Sequence, residues 1–329
     1  MSEPHWRTDP AWPDTWPDVD VVMPIRNEAD HLADAVASVR AQSYPGRLRI
    51  FLGVGPSTDG TERIADDLAA GTDDVVVVDN PSGRTPSGLN AAIRAGDAPI
   101  VVRVDGHSAL SAGYVRRAVE ILRDTGAVNV GGVQRPEPTS PFEQAVADAT
   151  TSWLGTGGAS YRVGSRAADV DTVYLGVFER TALEAVGLFD ERLVRNQDYE
   201  LNIRLRYAGG TVRFDPTLSV GYRPRSSWSA LGAQYYEYGW WKAEVLRLHP
   251  DSLKLRQLVP PVGVLGVLLS LVVCRRWPPA ALVPTAYALA IGTAVAPAER
   301  RARVAAVLTT IHGCWTIGLL RSLVKRAGS

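Results

Sequence analysis

Three apolar segments of strand length each run into a short polar turn that carries a carboxylate, and this repeated pattern constrains the chain more than any other feature. Val19 to Ile25 breaks at Arg26-Asn27-Glu28, Arg49 to Val54 leads to Ser57-Thr58-Asp59-Gly60-Thr61, and Ile100 to Val104 ends at Asp105-Gly106-His107. Helical spacing fills the intervals: Leu32, Val36 and Val39 within Glu28 to Gln42, then Thr61 to Ala70, then Ser87 to Ala95 after the β-branched run Val75 to Val78. Such alternation predicts an α/β fold of right-handed βαβ units around a mostly parallel sheet. Ligands of open α/β sheets bind in the crevice outside the carboxyl ends of the strands, so the three turns are expected at one site. Further on, Asn129 to Gln134 and Asp169 to Phe178 predict strands of a less regular second half. Asp198 to Ala208 predicts a helix with Leu201, Leu205 and Ala208 on one face.

Composition removes several classes. Lys and Arg number 35 and Asp and Glu also 35, so no basic field exists to attract a phosphate polymer, and no nucleic-acid partner is expected. The only cysteines, Cys274 and Cys314, lie in apolar stretches and offer neither a disulfide framework nor a zinc spacing. Residues 1–17, with Trp6, Trp12 and Trp16 among prolines and aspartates, predict an irregular arm. They lack the apolar core of a signal peptide, and the catalytic part is expected to be intracellular.

The tail changes character. From Leu258 to Val324 the charges are confined to Arg275-Arg276, Glu299-Arg300-Arg301, Arg303 and Arg321. This leaves apolar runs from Leu258 to Cys274, Ala280 to Ala298 and Val304 to Leu320, each about 17 to 19 residues against the roughly 20 that span a bilayer. About three membrane helices over 258–329 are expected. A buried helical subdomain is the alternative, because Pro260-Pro261, Pro278-Pro279 and Pro284 interrupt the runs. Cationic residues flank all the runs, so the positive-inside rule gives no orientation.

The order and content of the three turns resemble the nucleotide-sugar-binding half of the family 2 glycosyltransferases. The finer context, Arg84-Thr85-Pro86-Ser87-Gly88-Leu89-Asn90 followed by Arg103-Val104-Asp105-Gly106-His107-Ser108, resembles the branch that includes the succinoglycan-biosynthesis glucosyltransferases. The resemblance implies a GT-A catalytic domain over 18–225, an amphipathic interfacial helical segment over 226–257, and then the membrane helices. Pro24, Asn27 and Glu28 occupy the places that contact the nucleoside, and Asp59 the place that contacts the base. Arg84 and Asn90 are implied near the nucleotide, at a helix N-terminus that favours anions. For Asn27 and Ser57, helix capping is the alternative role, and for Arg84 a solvated side chain beside a capping Ser87.

The family's Asp-X-Asp element stands here as Asp105-Gly106-His107. It implies Asp105 as a ligand of a divalent metal, Mn2+ or Mg2+, with His107 as a second ligand or as a donor to phosphate. Imidazole suits manganese, whereas magnesium prefers oxygen. Downstream, the acidic pair that opens a helix in the family stands as Gln197-Asp198, with Gln197 facing the substrate and Asp198 as general base, a helix cap being its alternative. Gln234-Tyr235-Tyr236-Glu237-Tyr238-Gly239-Trp240-Trp241-Lys242 is related to the Gln-X-X-Arg-Trp of processive members but lacks the Arg, which argues against polymer synthesis. Gln234 and Trp240 are implied at the acceptor, and Tyr235 and Trp241 at a bilayer surface.

The activity implied is inverting transfer of one hexose, from a UDP-hexose or similar donor, to a lipid-linked or glycan acceptor of exopolysaccharide or cell-envelope synthesis. The catalytic domain of such a multi-pass cell-membrane protein would face the cytoplasm. Two other classes stay open. A nucleotidyltransferase also uses carboxylates at strand ends, although Pro24 to Glu28 lacks its glycine-rich phosphate loop. A non-catalytic membrane scaffold could also keep the fold.

Overall fold

The structure, a computed structural model, describes residues 14–156 and 159–325. Residues 1–13 of the expected N-terminal arm lie outside the described residues. In chain order the elements are β1 (Val19–Ile25), α1 (Leu32–Arg40), β2 (Leu48–Val54), α2 (Thr61–Ala69), β3 (Val75–Asp79), α3 (Thr85–Ala95), β4 (Ile100–Arg103), β5 (Ala109–Leu110), α4 (Tyr114–Thr125) and β6 (Asn129–Pro136). Then come α5 (Pro141–Thr151), β7 (Ala168–Asp169), β8 (Tyr174–Glu179), α6 (Arg180–Ala185), α7 (Gln197–Tyr207), β9 (Val212–Tyr222), α8 (Trp228–Leu248), α9 (Leu255–Val273), α10 (Leu282–Val295) and α11 (Arg301–Lys325). Two compact units result, divided between Arg135 and Pro136, between Val163 and Gly164, and between Tyr222 and Arg223.

The first unit is built on one sheet in the order β3-β2-β1-β4-β8-β6-β9-β5, with β7 beside β9. Strands β3, β2, β1 and β4 run parallel, as their alternation with helices requires. The sheet is mixed because β8 returns antiparallel between β4 and β6, and β9 pairs antiparallel with β5 and β7. Helices α4 to α7 lie between the strands of that second half, so the antiparallel pairing there comes from which strands meet across the sheet and not from a lack of helical connections.

Strand alternation sorts the core into two layers. Val19, Val21, Met23 and Ile25 of β1, Ile50, Leu52 and Val54 of β2, and Ile100 and Val102 of β4 pack on one face with Leu32, Val36 and Val39 of α1 and Tyr114 and Leu122 of α4. The residues of opposite parity, Val22, Phe51 and Val101, pack on the other face with Leu89 and Ile93 of α3 and Leu201 and Leu205 of α7. Arg103 continues the parity of Val101 and pairs in register with Val22, so β4 delivers it on the layer that α7 covers. The start of α3 rests directly on β2, since a Cβ on Gly53 would lie 2.5 Å from the Gly88 carbonyl oxygen.

At the amino ends of the strands the buried Asp20 accepts hydrogen bonds from the Ala98 amide at 2.8 Å, Arg180 Nη2 at 2.8 Å and Arg49 Nη2 at 3.1 Å. This knot joins β1, β2, α6 and the loop before β4, on the side of the sheet away from the three turns.

The second unit is helical. Ala145, Val146 and Ala149 of α5 share its core with Leu231 and Tyr235 of α8, Ala294 and Val295 of α10, and Val304, Val307, Leu308 and Ile311 of α11. Helices α8 and α11 approach closely because of two glycines. A Cβ on Gly239 would fall 2.0 Å from the Trp315 carbonyl oxygen, and one on Gly318 would fall 2.0 Å from that of Tyr236. Tyr235, expected at a bilayer surface, is instead 8% exposed inside this helix pair, where the ring packs on Tyr238. Among the described residues three helices are long and apolar enough to cross a membrane: Leu255–Val273, Pro278–Val295 and Arg301–Lys325. Along α9, α10 and the turn between them, Leu255, Val262, Leu269, Val272, Leu282 and Leu289 are exposed, which leaves an apolar outer surface.

Candidate active site

The turns that follow β1 and β2 are laced together. Asn27 sits in the left-handed region at φ 54°, which Asn tolerates better than most residues. Its amide donates to Ser57 Oγ at 3.1 Å and its Oδ1 accepts from the Thr58 amide at 2.9 Å. The Glu28 amide donates to Thr61 Oγ1 at 2.9 Å, and the Ala29 amide to Asp59 Oδ2 at 3.1 Å. The other Asp59 oxygen accepts from the amide and hydroxyl of Thr61, and the Thr61 hydroxyl leads the bonds that lower its proton affinity. Asp59 is exposed and anionic in the turn after β2, and Pro24 is half-buried in β1.

The turn after β4 tucks under the first. A Cβ on Gly106 would meet Ile25 Cδ1 at 2.9 Å and Glu28 Cγ at 3.0 Å, so a larger residue in the middle of Asp105-Gly106-His107 would require those two side chains to shift. Glu28 Oε1 in turn lies 2.8 Å from His107 Nδ1.

At the centre Arg103, 5% exposed, meets two carboxylates. Its Nε and Nη2 donate to Asp105 Oδ1 at 3.1 and 2.9 Å, and its Nη1 donates to Asp198 Oδ1. Asp198 comes from the first turn of α7. Asn196 in the left-handed region at φ 60° caps that helix, so Asp198 is not the cap, and the neighbouring Gln197 is buried. The two acids are driven apart. Burial pushes Asp198 up, with Asp105 adding to the rise and Arg103 opposing it. Burial would also raise Asp105, but Arg103, His107 and Arg195 together hold it below the ordinary carboxylate range. An acid kept anionic beside one whose proton affinity is raised is the arrangement that separates a charge-holding role from a proton-accepting role.

Other expected residues have different surroundings. Asn90, expected near the nucleotide, is buried with its amide spent on protein. Its Nδ2 donates to the Phe189 carbonyl at 2.9 Å and to Glu191 Oε1 at 2.8 Å, and its Oδ1 accepts from the Phe189 amide at 3.0 Å. It anchors the loop before α7 to α3. Ser87 does not cap α3. Its hydroxyl donates to Glu191 Oε2 at 2.9 Å, while Arg84 occupies the cap position, exposed, with Nη1 3.5 Å from the Glu191 carbonyl. Gln234 and Trp240 belong to the second unit. There Gln234 Nε2 donates to the Tyr238 hydroxyl at 3.0 Å, and the Trp240 ring lies beside Tyr236 and under Lys325 Nζ at 5.5 Å. The sequence carries Arg103 only as part of a motif, and the signal that marks it is a cation closing the apolar run Ile100 to Val102. Among the described residues no three His, Cys, Asp or Glu side chains converge as a metal cage.

Comparison with known proteins agrees with this architecture. Residues 20–187 match the profile of glycosyl transferase family 2. The chain is 31% identical over 319 residues to the succinoglycan biosynthesis protein ExoA of Rhizobium meliloti, covering 92% of this chain and 94% of that one. It is 25% identical over 247 residues to the glycosyltransferase AglE of Haloferax volcanii, covering 74% and 78%. In fold it is similar to the mannosyltransferase PcManGT of Pyrobaculum calidifontis, solved with GDP-Man and Mn2+, at a TM-score of 0.61 and 20% identity over 95% of this chain and 90% of that one. With a matching family profile and a relative of this identity along nearly its whole length, the chain belongs to glycosyl transferase family 2 and is a glycosyltransferase of the GT-A fold.

Proposed function

We propose that the protein transfers one hexose, with inversion, from a nucleotide sugar such as a UDP-hexose to a lipid-linked or glycan acceptor at the cell membrane, in exopolysaccharide or envelope glycan synthesis. The observation that carries this reading is that Asp105 and Asp198 share the Arg103 guanidinium at the carboxyl ends of the parallel strands. A group suited to the donor diphosphate and a group suited to the acceptor hydroxyl thus lie within reach of one bound sugar. Asp198 takes the acceptor proton as the hydroxyl oxygen bonds to the anomeric carbon and the carbon–oxygen bond to the diphosphate breaks. Its raised proton affinity favours that role. Asn27, Glu28, Pro24 and Asp59 border the nucleoside, Arg84 approaches the phosphates, and Gln197 faces the sugar.

A divalent ion fits the donor set. Asp105 Oδ2 accepts no hydrogen bond from a described residue. With Nδ1–H turned to Glu28, a neutral His107 has Nε2 as its basic nitrogen, the arrangement of a ligand imidazole oriented by a carboxylate. Asp105 and His107 would hold the ion, the donor phosphates would complete its shell, and it would supply charge neutralisation to the leaving diphosphate. The ExoA relative supports a place in exopolysaccharide synthesis, and the apolar helices α9 to α11 support an acceptor at the membrane. The catalytic unit would face the cytoplasm because nucleotide sugars are cytosolic.

The test is mass spectrometry of membrane lipids incubated with the protein and a panel of nucleotide sugars. A lipid or glycan gaining one hexose is expected. Formation of a nucleotide sugar from a nucleoside triphosphate and a sugar phosphate, without transfer, would favour a nucleotidyltransferase instead.

A further inference from the structure

Arg103 has no task in the mechanism above, yet it joins the two acids on which that mechanism rests. It closes β4 on the parity that faces α7, and three of its N–H groups are spent on two carboxylates, one 2 and the other 95 residues away in sequence. All three bonds go to one oxygen of each acid, Oδ1 of Asp105 and Oδ1 of Asp198. Neither Oδ2 accepts a hydrogen bond from a described residue. A cation needed only for neutralisation would satisfy the charges in many geometries. A planar guanidinium fork that takes a single oxygen from each partner fixes how far apart they stand and which way their second oxygens face.

We infer that Arg103 is a positioning residue for transfer: by holding Oδ1 of both acids it aims Asp198 Oδ2 at the acceptor hydroxyl and Asp105 Oδ2 at the diphosphate side. The inference rests on the roles of Asp198 and Asp105 proposed above. Alignment of this kind acts on the reacting geometry more than on ground-state affinity, and a displacement of about 1 Å costs on the order of 10²-fold in rate. Lysine keeps the charge but not the fork, and cannot reach both acids in fixed directions.

Full-length Arg103→Lys in detergent is expected to lose ~10²-fold in kcat while the donor KM, and the calorimetric affinity for UDP with Mn2+, stay within about threefold of wild type. Arg103→Ala is expected to regain turnover with added guanidinium and not with ammonium, since only the former restores a planar donor. An Arg103→Lys variant that turns over within threefold of wild type would overturn the inference. So would a loss of UDP affinity in step with kcat, which would make Arg103 a donor-binding group. If Arg103→Ala does not fold, the Arg103→Lys kinetics and calorimetry decide alone. These outcomes leave the activity itself standing, whereas a wild-type protein that transfers no sugar overturns the activity and the inference together.

Discussion

Glu28 Oε1 lies 2.8 Å from His107 Nδ1, joining the turn after β1 to the turn after β4. The contact is possible because Gly106 lets Glu28 cross the second turn at van der Waals distance. Its consequence is a fixed imidazole beside the anionic Asp105. Carboxylates that orient a ligand imidazole typically contribute 10- to 100-fold to metal affinity. Glu28→Gln is therefore expected to weaken manganese binding by roughly that factor, read by calorimetry with UDP present. His107→Asp, which replaces nitrogen by oxygen, is expected to move the preference toward magnesium. Unchanged manganese affinity in Glu28→Gln would remove the pair from the ion's surroundings.

The opposite shifts of the two acids predict an order of titration. Asp198 is raised by burial and Asp105 is held low by its cationic neighbours. As pH falls, Asp198 takes its proton first and turnover is lost while Asp105 is still anionic. The acid limb of kcat should lie above the ordinary aspartate value of about 3.9, and UDP affinity with manganese should fail only at lower pH. Parallel kcat and calorimetry series would show it, and coincident limbs would contradict the split.

Asp20 offers a stability test remote from the three turns. It is fully buried, and Ala in its place would leave the buried Arg180 only the exposed Glu184, 3.6 Å from its Nη1, as a carboxylate partner. Breaking one side of a buried ion pair costs about 3 to 5 kcal/mol. Asp20→Ala should lower the thermal midpoint of the first unit markedly, whereas a surface pair such as Arg40 with Asp74 should matter little on removal.

Local patterns carried much of this into the sequence. Strand alternation and helical spacing marked the parallel strands β1 to β4 because each is a short apolar run bounded by polar turns. The antiparallel return of β8 and β9 was less legible, since it depends on long-range pairing and not on period. At the site, Asp105 and Asp198 stood out as carboxylates at element ends. Arg103 did not, because its partner lies in α7 and only the fold brings them together. Asn90 stands near a helix start, where the resemblance implies a place near the nucleotide, yet tertiary packing of residues 189–191 consumes its amide. Tyr235 read as an interfacial aromatic, but glycines at 239 and 318 draw α8 onto α11 and bury it.

The helical unit predicts the protein's handling. With α9 and α10 presenting apolar side chains outward, the full chain should sediment with membranes and resist carbonate extraction. A chain ending near Pro250 loses α11 and uncovers Leu231, Tyr235 and Ala243 of α8, so it should aggregate without detergent instead of becoming freely soluble. Full-length protein that stays in the supernatant without detergent would contradict the membrane assignment. In sealed right-side-out vesicles, external protease should leave the chain before Leu258 intact.

The most direct measurement concerns Asp198. Asp198→Asn keeps the shape and the oxygen that faces Arg103 but cannot accept the proton, so transfer should fall by ~10² or more while calorimetric binding of UDP with manganese remains near wild type. Turnover within a few-fold of wild type in that variant, with the donor bound normally, would contradict Asp198 as the base on which the account turns.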